Sequence, residues 1–300
     1  MLTLVPYVLA SQGTMLAGRA GVFNVSQEGI MLAGASVGFL GAYLSGGNLL
    51  QGVLLAMATG ALFGLALAYF TTTLKMDQFV VGLALFFIGL AVSTLLYRLA
   101  VGVTLTPPLI PTLREIALPG LSRIPVVGEI FFRQNVLVYG VAVLSVALYL
   151  FLYKSGPGLA LRAVGEHPLA ADSLGVNVPA VRYVATVIGG MLIGLAGAYL
   201  PMVYTATFTD GIVRGRGWLS IALTFFGGWS PHLIFFGALF FAAVEVLAFR
   251  VQVTGIGVPY QVILMLPYLA TMAVMMPTFR RLQIPAFLGR NYDRERRMLL

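Results

Sequence analysis

The chain has 300 residues, of which only 9% are charged and 59% apolar, with a formal charge of +8 and no cysteine. A soluble domain carries about 25% charged residues, so most of this chain has no use for a water-facing surface. The missing cysteine excludes disulfides, thiol catalysis and cysteine metal sites. The positive charge does not point to nucleic acid, because much of it sits in the tail. There Arg280, Arg281, Arg290, Arg294, Arg296 and Arg297 outweigh Asp293 and Glu295.

Apolar runs of roughly 20 residues recur, the length of a helix that crosses a bilayer. The expected fold is therefore all-α: a polytopic membrane protein of about 8–9 transmembrane or partial helices. The 35 glycines suit helices that pack closely through small residues. Residues 2–17 form a first, slightly short apolar helix. It lacks the basic start of a cleavable signal and runs into a motif instead of a cleavage site.

Residues 18–29, GRAGVFNVSQEG, hold Arg19, Asn24, Gln27 and Glu28 among glycines. They read either as an ordinary loop or as a broken helix at depth whose polar groups line a path. Helices at 29–46 and 49–72 follow, joined by a Ser45-Gly46-Gly47-Asn48 turn, and a fourth span covers 79–97. Residues 99–133 break the pattern. Pro107, Pro108, Pro111, Pro119 and Pro125 exclude a long helix, and the segment is expected to lie on a membrane face with one or two short helices. A fifth span covers 134–153.

The loop at 154–182 is long and polar. Gly156-Pro157-Gly158 stops the fifth span, Pro168 opens a short amphipathic helix, and Gly175 ends it. Such a helix can enter a groove on a soluble partner, or it can be a solvated connector. A sixth span at 183–203 carries Gly189, Gly190, Gly194 and Gly197 on a small-residue face, suited to dimerisation or to packing within the chain. Residues 204–217 form a second glycine-rich break. Residues 218–228 are too short to span, helices follow at 232–250 and 259–277, and residues 278–300 are a basic tail.

The two breaks share a form: a glycine-rich polar segment with an arginine, leading into an apolar helix. This is the pattern of related halves packed around a pathway. The loops at 99–133 and 154–182 lie on opposite sides because one span separates them. A basic tail marks a cytoplasmic end. If 218–228 counts as a crossing, the tail and the 154–182 loop share the cytoplasmic side and 99–133 is extracytoplasmic. Whether 218–228 crosses or turns back stays open.

The order Glu166, Ala170, Ala171, Gly175 resembles the EAA-type loop of ABC importer permeases. The surrounding LRAVGEHPLAADSLGVNV is similar to the permeases of the branched-chain amino acid, simple-sugar and nucleoside importers. RAGVFNVSQEGIMLAGA, MDQFVVGLALFFIGL and GRGWLSIALTFFGGWSP resemble the nucleoside branch, with Ser26-Gln27 departing from the more frequent Gly-Leu. The likeness runs from Met1 to about Pro277. It implies a permease domain at 1–277 in a bacterial or archaeal plasma membrane. It also implies an ATPase subunit, a second permease subunit and an extracytoplasmic solute-binding lipoprotein as partners beside membrane lipid. The chain itself would hold no cofactor, because ATP is bound by the ATPase subunit. By this resemblance Arg162, Glu166, Pro168, Ala170, Ala171 and Gly175 carry the coupling.

No phosphate-binding loop, carboxylate pair or histidine cluster supports an enzyme, so no catalytic residue and no metal ligand is assigned. Candidates for the translocation pathway are Phe23, Asn24, Gln27 and Glu28 in the first break. In or near the second they are Phe208, Asp210, Arg214, Arg216 and Trp218. Glu245 stands alone in an apolar helix. A charge at such depth faces a cavity or a partner: Arg250, an arginine of the second break, or the pathway. His167 and His232 receive no chemistry. A branched-chain amino acid permease, and an ion-coupled transporter without an ATPase, are the competing readings.

Overall fold

The computed structural model describes residues 2–102, 106–117, 133–253 and 284–293, with a few further positions between 262 and 273. Most of the expected final span at 259–277 and most of the basic tail lie outside the described residues.

The chain is helical. Its helices are α1 (Leu4–Arg19), α2 (Gln27–Leu44), α3 (Leu49–Ala68), α4 (Gln78–Val101), α5 (Val136–Lys154), α6 (Gly156–Glu166), α7 (Pro168–Ser173), α8 (Val178–Tyr199), α9 (Arg216–Phe226) and α10 (Pro231–Val253). A π-turn extends α3 through Thr73 and another extends α8 through Thr205. Among the described residues, α3, α4, α5, α8 and α10 are long and apolar enough to cross a bilayer.

α1 differs from these. All 16 of its residues are buried, including Ser11, Gln12 and Thr14. At about 1.5 Å per residue it is shorter than a bilayer core, but a helix walled in by protein need not match lipid. Its polar groups find partners on its neighbours. The Ser11 hydroxyl donates to the Ser220 carbonyl (3.0 Å), and the Gln12 amide donates to the Ser145 hydroxyl (2.6 Å).

α8 is the second organising element. A Cβ on Gly189 would strike the backbone of Gly13 on α1, one on Gly190 that of Gly60 on α3, and one on Gly197 that of Met31 on α2. Three helices therefore reach contact distance along one glycine face. The expected small-residue stripe is thus occupied within the chain.

The bundle has two distinct ends. One gathers the end of α1, the α3–α4 loop, α6, α7, the turn after α9 and residues 284–293. The other gathers the α2–α3 turn, residues 106–117 and residues 206–210. There Ile110 donates its N–H to the Ala206 carbonyl (2.8 Å) and Leu113 to that of Met202 (3.0 Å).

The expected short helices between spans four and five are absent from the described part of that segment. Residues 106–114 carry no regular structure, and β1 (Glu115–Ala117) pairs antiparallel with β2 (Arg133–Asn135), Ile116 facing Gln134. The prolines at 107, 108 and 111 cannot donate to a helical ladder, so the backbone takes carbonyls of the α8 extension instead. Residues 118–132 lie outside the described residues.

Candidate coupling loop and translocation site

The polar loop holds two helices set end to end. Ser155 caps α6, its hydroxyl accepting the Gly158 N–H (3.1 Å), with Pro157 in the first turn. Gly156-Pro157-Gly158 therefore ends one helix and starts the next. Gly158 permits the reversal because a Cβ there would meet the Phe151 backbone. α6 buries Leu161, Val164 and Gly165 and lays half-buried Arg162 against α5, its guanidinium 4.9 Å from the centre of the Tyr153 ring.

α7 starts at Pro168. Gly175, at φ +86°, takes the left-handed conformation that closes the helix. Pro168 and Ala171 are buried, Ala171 beside Val164 and Val178. Ala170 and Gly175 face outward. So do two apolar side chains, Leu169 at 42% and Leu174 at 86% exposure.

The loop sits directly on the first break. A Cβ on Gly165 would strike the Arg19 carbonyl, so α6 meets the end of α1 backbone to backbone. Arg19 is buried and binds four groups. It donates to the carbonyls of Trp229 (2.8 Å) and Gly228 (3.3 Å) and to the Tyr153 hydroxyl (3.4 Å), and it lies 4.0 Å from the Glu166 carboxylate. One planar fork thus joins α1, the turn after α9, α5 and the loop. Sequence reading noted Arg19 only as one polar residue of the motif.

Beyond Arg19 the chain runs through residues 20–26 without helix. The Gln78 amide oxygen accepts the Phe23 N–H (2.6 Å), and the Phe23 ring packs edge-on against Phe225. The Asn24 side chain accepts the N–H (2.9 Å) and hydroxyl (2.6 Å) of Ser26, starting α2. Gln27 is fully buried, and neither of its amide atoms has a hydrogen-bond partner among the described residues.

Glu28 makes the junction between the breaks. Its carboxylate accepts the N–H of Gly215 (2.8 Å) and of Gly217 (2.7 Å). These are first-turn donors of α9, which a helix leaves unpaired and which favour negative charge. Gly217 must stay small, since a Cβ would lie 2.5 Å from the Glu28 nitrogen. Between them Arg216 pairs with Glu245 (2.9 Å). The lone acid of α10 thus has its partner in the second break and not at Arg250. Trp218, half exposed, packs edge-on against Phe86.

α9 runs from this junction to Trp229, whose indole covers Gly18. Its 11 residues make about 16 Å, half a bilayer core. Residues 206–215 cover the rest of the distance from the other end without helix. The two parts together connect opposite ends of the bundle.

The remaining candidates are not at the junction. Phe208 is buried against Tyr97. Asp210 is exposed, 3.5 Å from Arg98 and accepting from the Thr94 hydroxyl (3.2 Å). Arg214 is exposed at φ +51°. Two residues that sequence reading did not single out prove central to the loop end: Gln78 and the fully buried Arg182. Arg182 stands at the start of a span, and nothing in its local sequence distinguishes it.

The family model described as branched-chain amino acid transport system, permease component, matches residues 1–275. The guanosine ABC transporter permease protein NupQ of Bacillus subtilis is 32% identical, the match covering 97% of this chain and 94% of that protein. A putative glucose ABC transporter permease protein of Haloferax volcanii is 33% identical over 96% of this chain and 94% of its own. The nucleoside ABC transporter permease protein NupC of Lactococcus lactis is 32% identical over 96% and 93%. No solved structure matches the chain at a significant level. The chain belongs to the branched-chain amino acid transport system permease family and is a multi-pass membrane protein, the permease component of an ABC transporter.

Proposed function

We propose that this permease imports nucleosides or related sugars, powered by an ATPase subunit that docks on α6 and α7. The observation that carries the coupling half is the seat of Gly165 on the Arg19 carbonyl. A push on the loop has no slack to absorb it before it reaches the first break. Leu169 and Leu174 offer the partner an apolar knob, while Arg162, Glu166, Pro168, Ala170, Ala171 and Gly175 shape it. The chain carries no ATPase site of its own in this reading. The loop end faces the cytoplasm, and the end with residues 106–117 faces a solute-binding lipoprotein.

The substrate class rests on the relatives, two of which are named for guanosine or nucleoside transport and one for glucose. A second permease subunit is part of the proposal. The guanosine permease protein NupP of Bacillus subtilis also matches, at 24% identity over 87% of this chain, so the transporter named for guanosine there has two such proteins.

On this reading the pathway passes the junction of the two breaks, where Asn24, Gln27, Glu28 and Trp218 offer hydrogen bonds and an aromatic face. Phe23, Phe208, Asp210, Arg214, Arg216 and Glu245 flank it. The test is uptake of labelled guanosine, glucose and leucine by the reconstituted transporter. Guanosine uptake that requires ATP is expected. Leucine uptake alone would overturn the substrate assignment, and uptake without any ATPase would overturn the coupling.

A further inference from the structure

Residues 284–293 form no regular element, yet every backbone N–H from Ala286 to Arg290 is bonded. Ala286 donates its N–H to the Glu166 carboxylate (3.1 Å) and Phe287 to the Gly165 carbonyl (2.9 Å). Two residues on, Gly289 donates to the carbonyl of Gly21 in the first break (3.2 Å). The Arg290 carbonyl accepts from buried Arg182 (3.1 Å) and from Gln78 (3.4 Å). The Asn291 amide reaches the carbonyls of Lys75 (2.5 Å) and Met76 (3.1 Å), and Asp293 pairs with Lys75 (2.8 Å). Tyr292 is buried with Val164, Ala171 and Val178, under the loop helices.

A chain terminus stays loose unless something ties it down, and each fixed residue loses about 1–2 kcal/mol of backbone entropy. This segment is held by three separate parts of the molecule: the loop helices, the first break and the α3–α4 loop. Gly165 and Gly21 are bridged by residues only two apart, a link too short to stretch. Glu166, 43% exposed at its side chain, has Arg19 at 4.0 Å from one oxygen and accepts the Ala286 N–H on the other.

We infer that residues 284–293 are a strap that joins the coupling loop, the first break and the α3–α4 loop into one moving body, and that Glu166 is its positioning residue. This rests on the proposed docking of an ATPase at α6 and α7. Glu166 then acts inward, fastening the docking helices to the pathway, and the outward contacts fall to its neighbours. The Arg182 guanidinium sets the strap's height by holding the Arg290 carbonyl.

The experiment measures solute taken up per ATP hydrolysed in the liposome-reconstituted complex. A286P/F287P removes the two N–H donors to Glu166 and Gly165. The ratio is expected to fall at least tenfold while the ATPase still copurifies. K75C/D293C, joined by a short bifunctional thiol reagent, fastens the strap to the α3–α4 loop. The native chain has no cysteine, so within it the reaction is confined to that pair, and the reagent is applied to this chain before the complex is assembled. Because the parts move together, the joined protein is expected to transport within twofold of the unjoined one. An unchanged ratio in the proline variant, or loss of transport on joining, overturns the strap. If the proline variant fails to assemble, the joined pair alone decides. Absence of any ATPase from the native complex would instead overturn the docking reading.

Discussion

The two breaks carry similar residues and are built in opposite ways. The first, residues 20–26, is enclosed: Asn24 and Ser26 are buried, Phe23 is held by Gln78, and the strap crosses Gly21. The second, residues 206–215, buries Phe208, Ile212 and Val213 but is open on its other side. Asp210, Gly211 and Arg214 are exposed, and its turns are made by residues at positive φ, Ala206, Gly211, Arg214 and Gly215. One break is fixed by tertiary bonds and the other mainly by its own backbone. They meet at Glu28, which belongs to the enclosed side and satisfies the open side's helix. With an ATPase docked at α6 and α7 as proposed, the first break is the part that would receive the force.

The contrast breaks most severely at Glu28. In Glu28→Ala the N–H groups of Gly215 and Gly217 lose their acceptor, at about 1–3 kcal/mol each. Uptake is expected to fall more than a hundredfold and the melting temperature of the detergent-purified protein to drop. Glu28→Gln, which keeps an acceptor oxygen without the charge, should be intermediate. Equal effects of the two would show that charge, not the bond, is what α9 needs.

A sharper test of the enclosed break is Gln27→Met. The substitution keeps length and removes a buried amide that has no partner among the described residues. Thermal stability is expected to hold or to rise by about 1 kcal/mol, while guanosine uptake falls about tenfold because the solute loses a hydrogen-bonding group. Unchanged uptake would take Gln27 out of the pathway.

The smallest effect is expected on the open side. Asp210→Asn breaks an exposed ion pair with Arg98, worth about 1 kcal/mol at most. Uptake should stay within twofold, with no shift in melting temperature. A large loss with unchanged stability would mean that Asp210 meets a partner protein instead.

Much of this was legible in the sequence. The helices, the glycine stop at Gly175 and the interrupted segments follow from apolar runs and from glycine and proline placement, which act over a few residues. The expected glycine face of α8 was legible as a face, but not its occupants, because α1, α2 and α3 come from distant parts of the chain. The partner of Glu245 had been left among several candidates, and Arg216 was decided by how α9 lies against α10. The central place of Arg19 and of Arg182 was not legible for the same reason: each is distinguished by partners far away in the chain.

The sequence by itself determined that this is a helical membrane protein with a long polar loop between two spans and two glycine-rich interruptions. These are consequences of local composition: which stretches tolerate lipid, and where the backbone stops donating. Only the tertiary structure decided that α1 is walled in, that Glu28 caps the half-helix of the other break, and that a stretch of the basic tail straps the loop to the first break. Those are long-range pairings of buried polar groups. Such a group must find a partner somewhere, but its own neighbourhood in the chain does not say where.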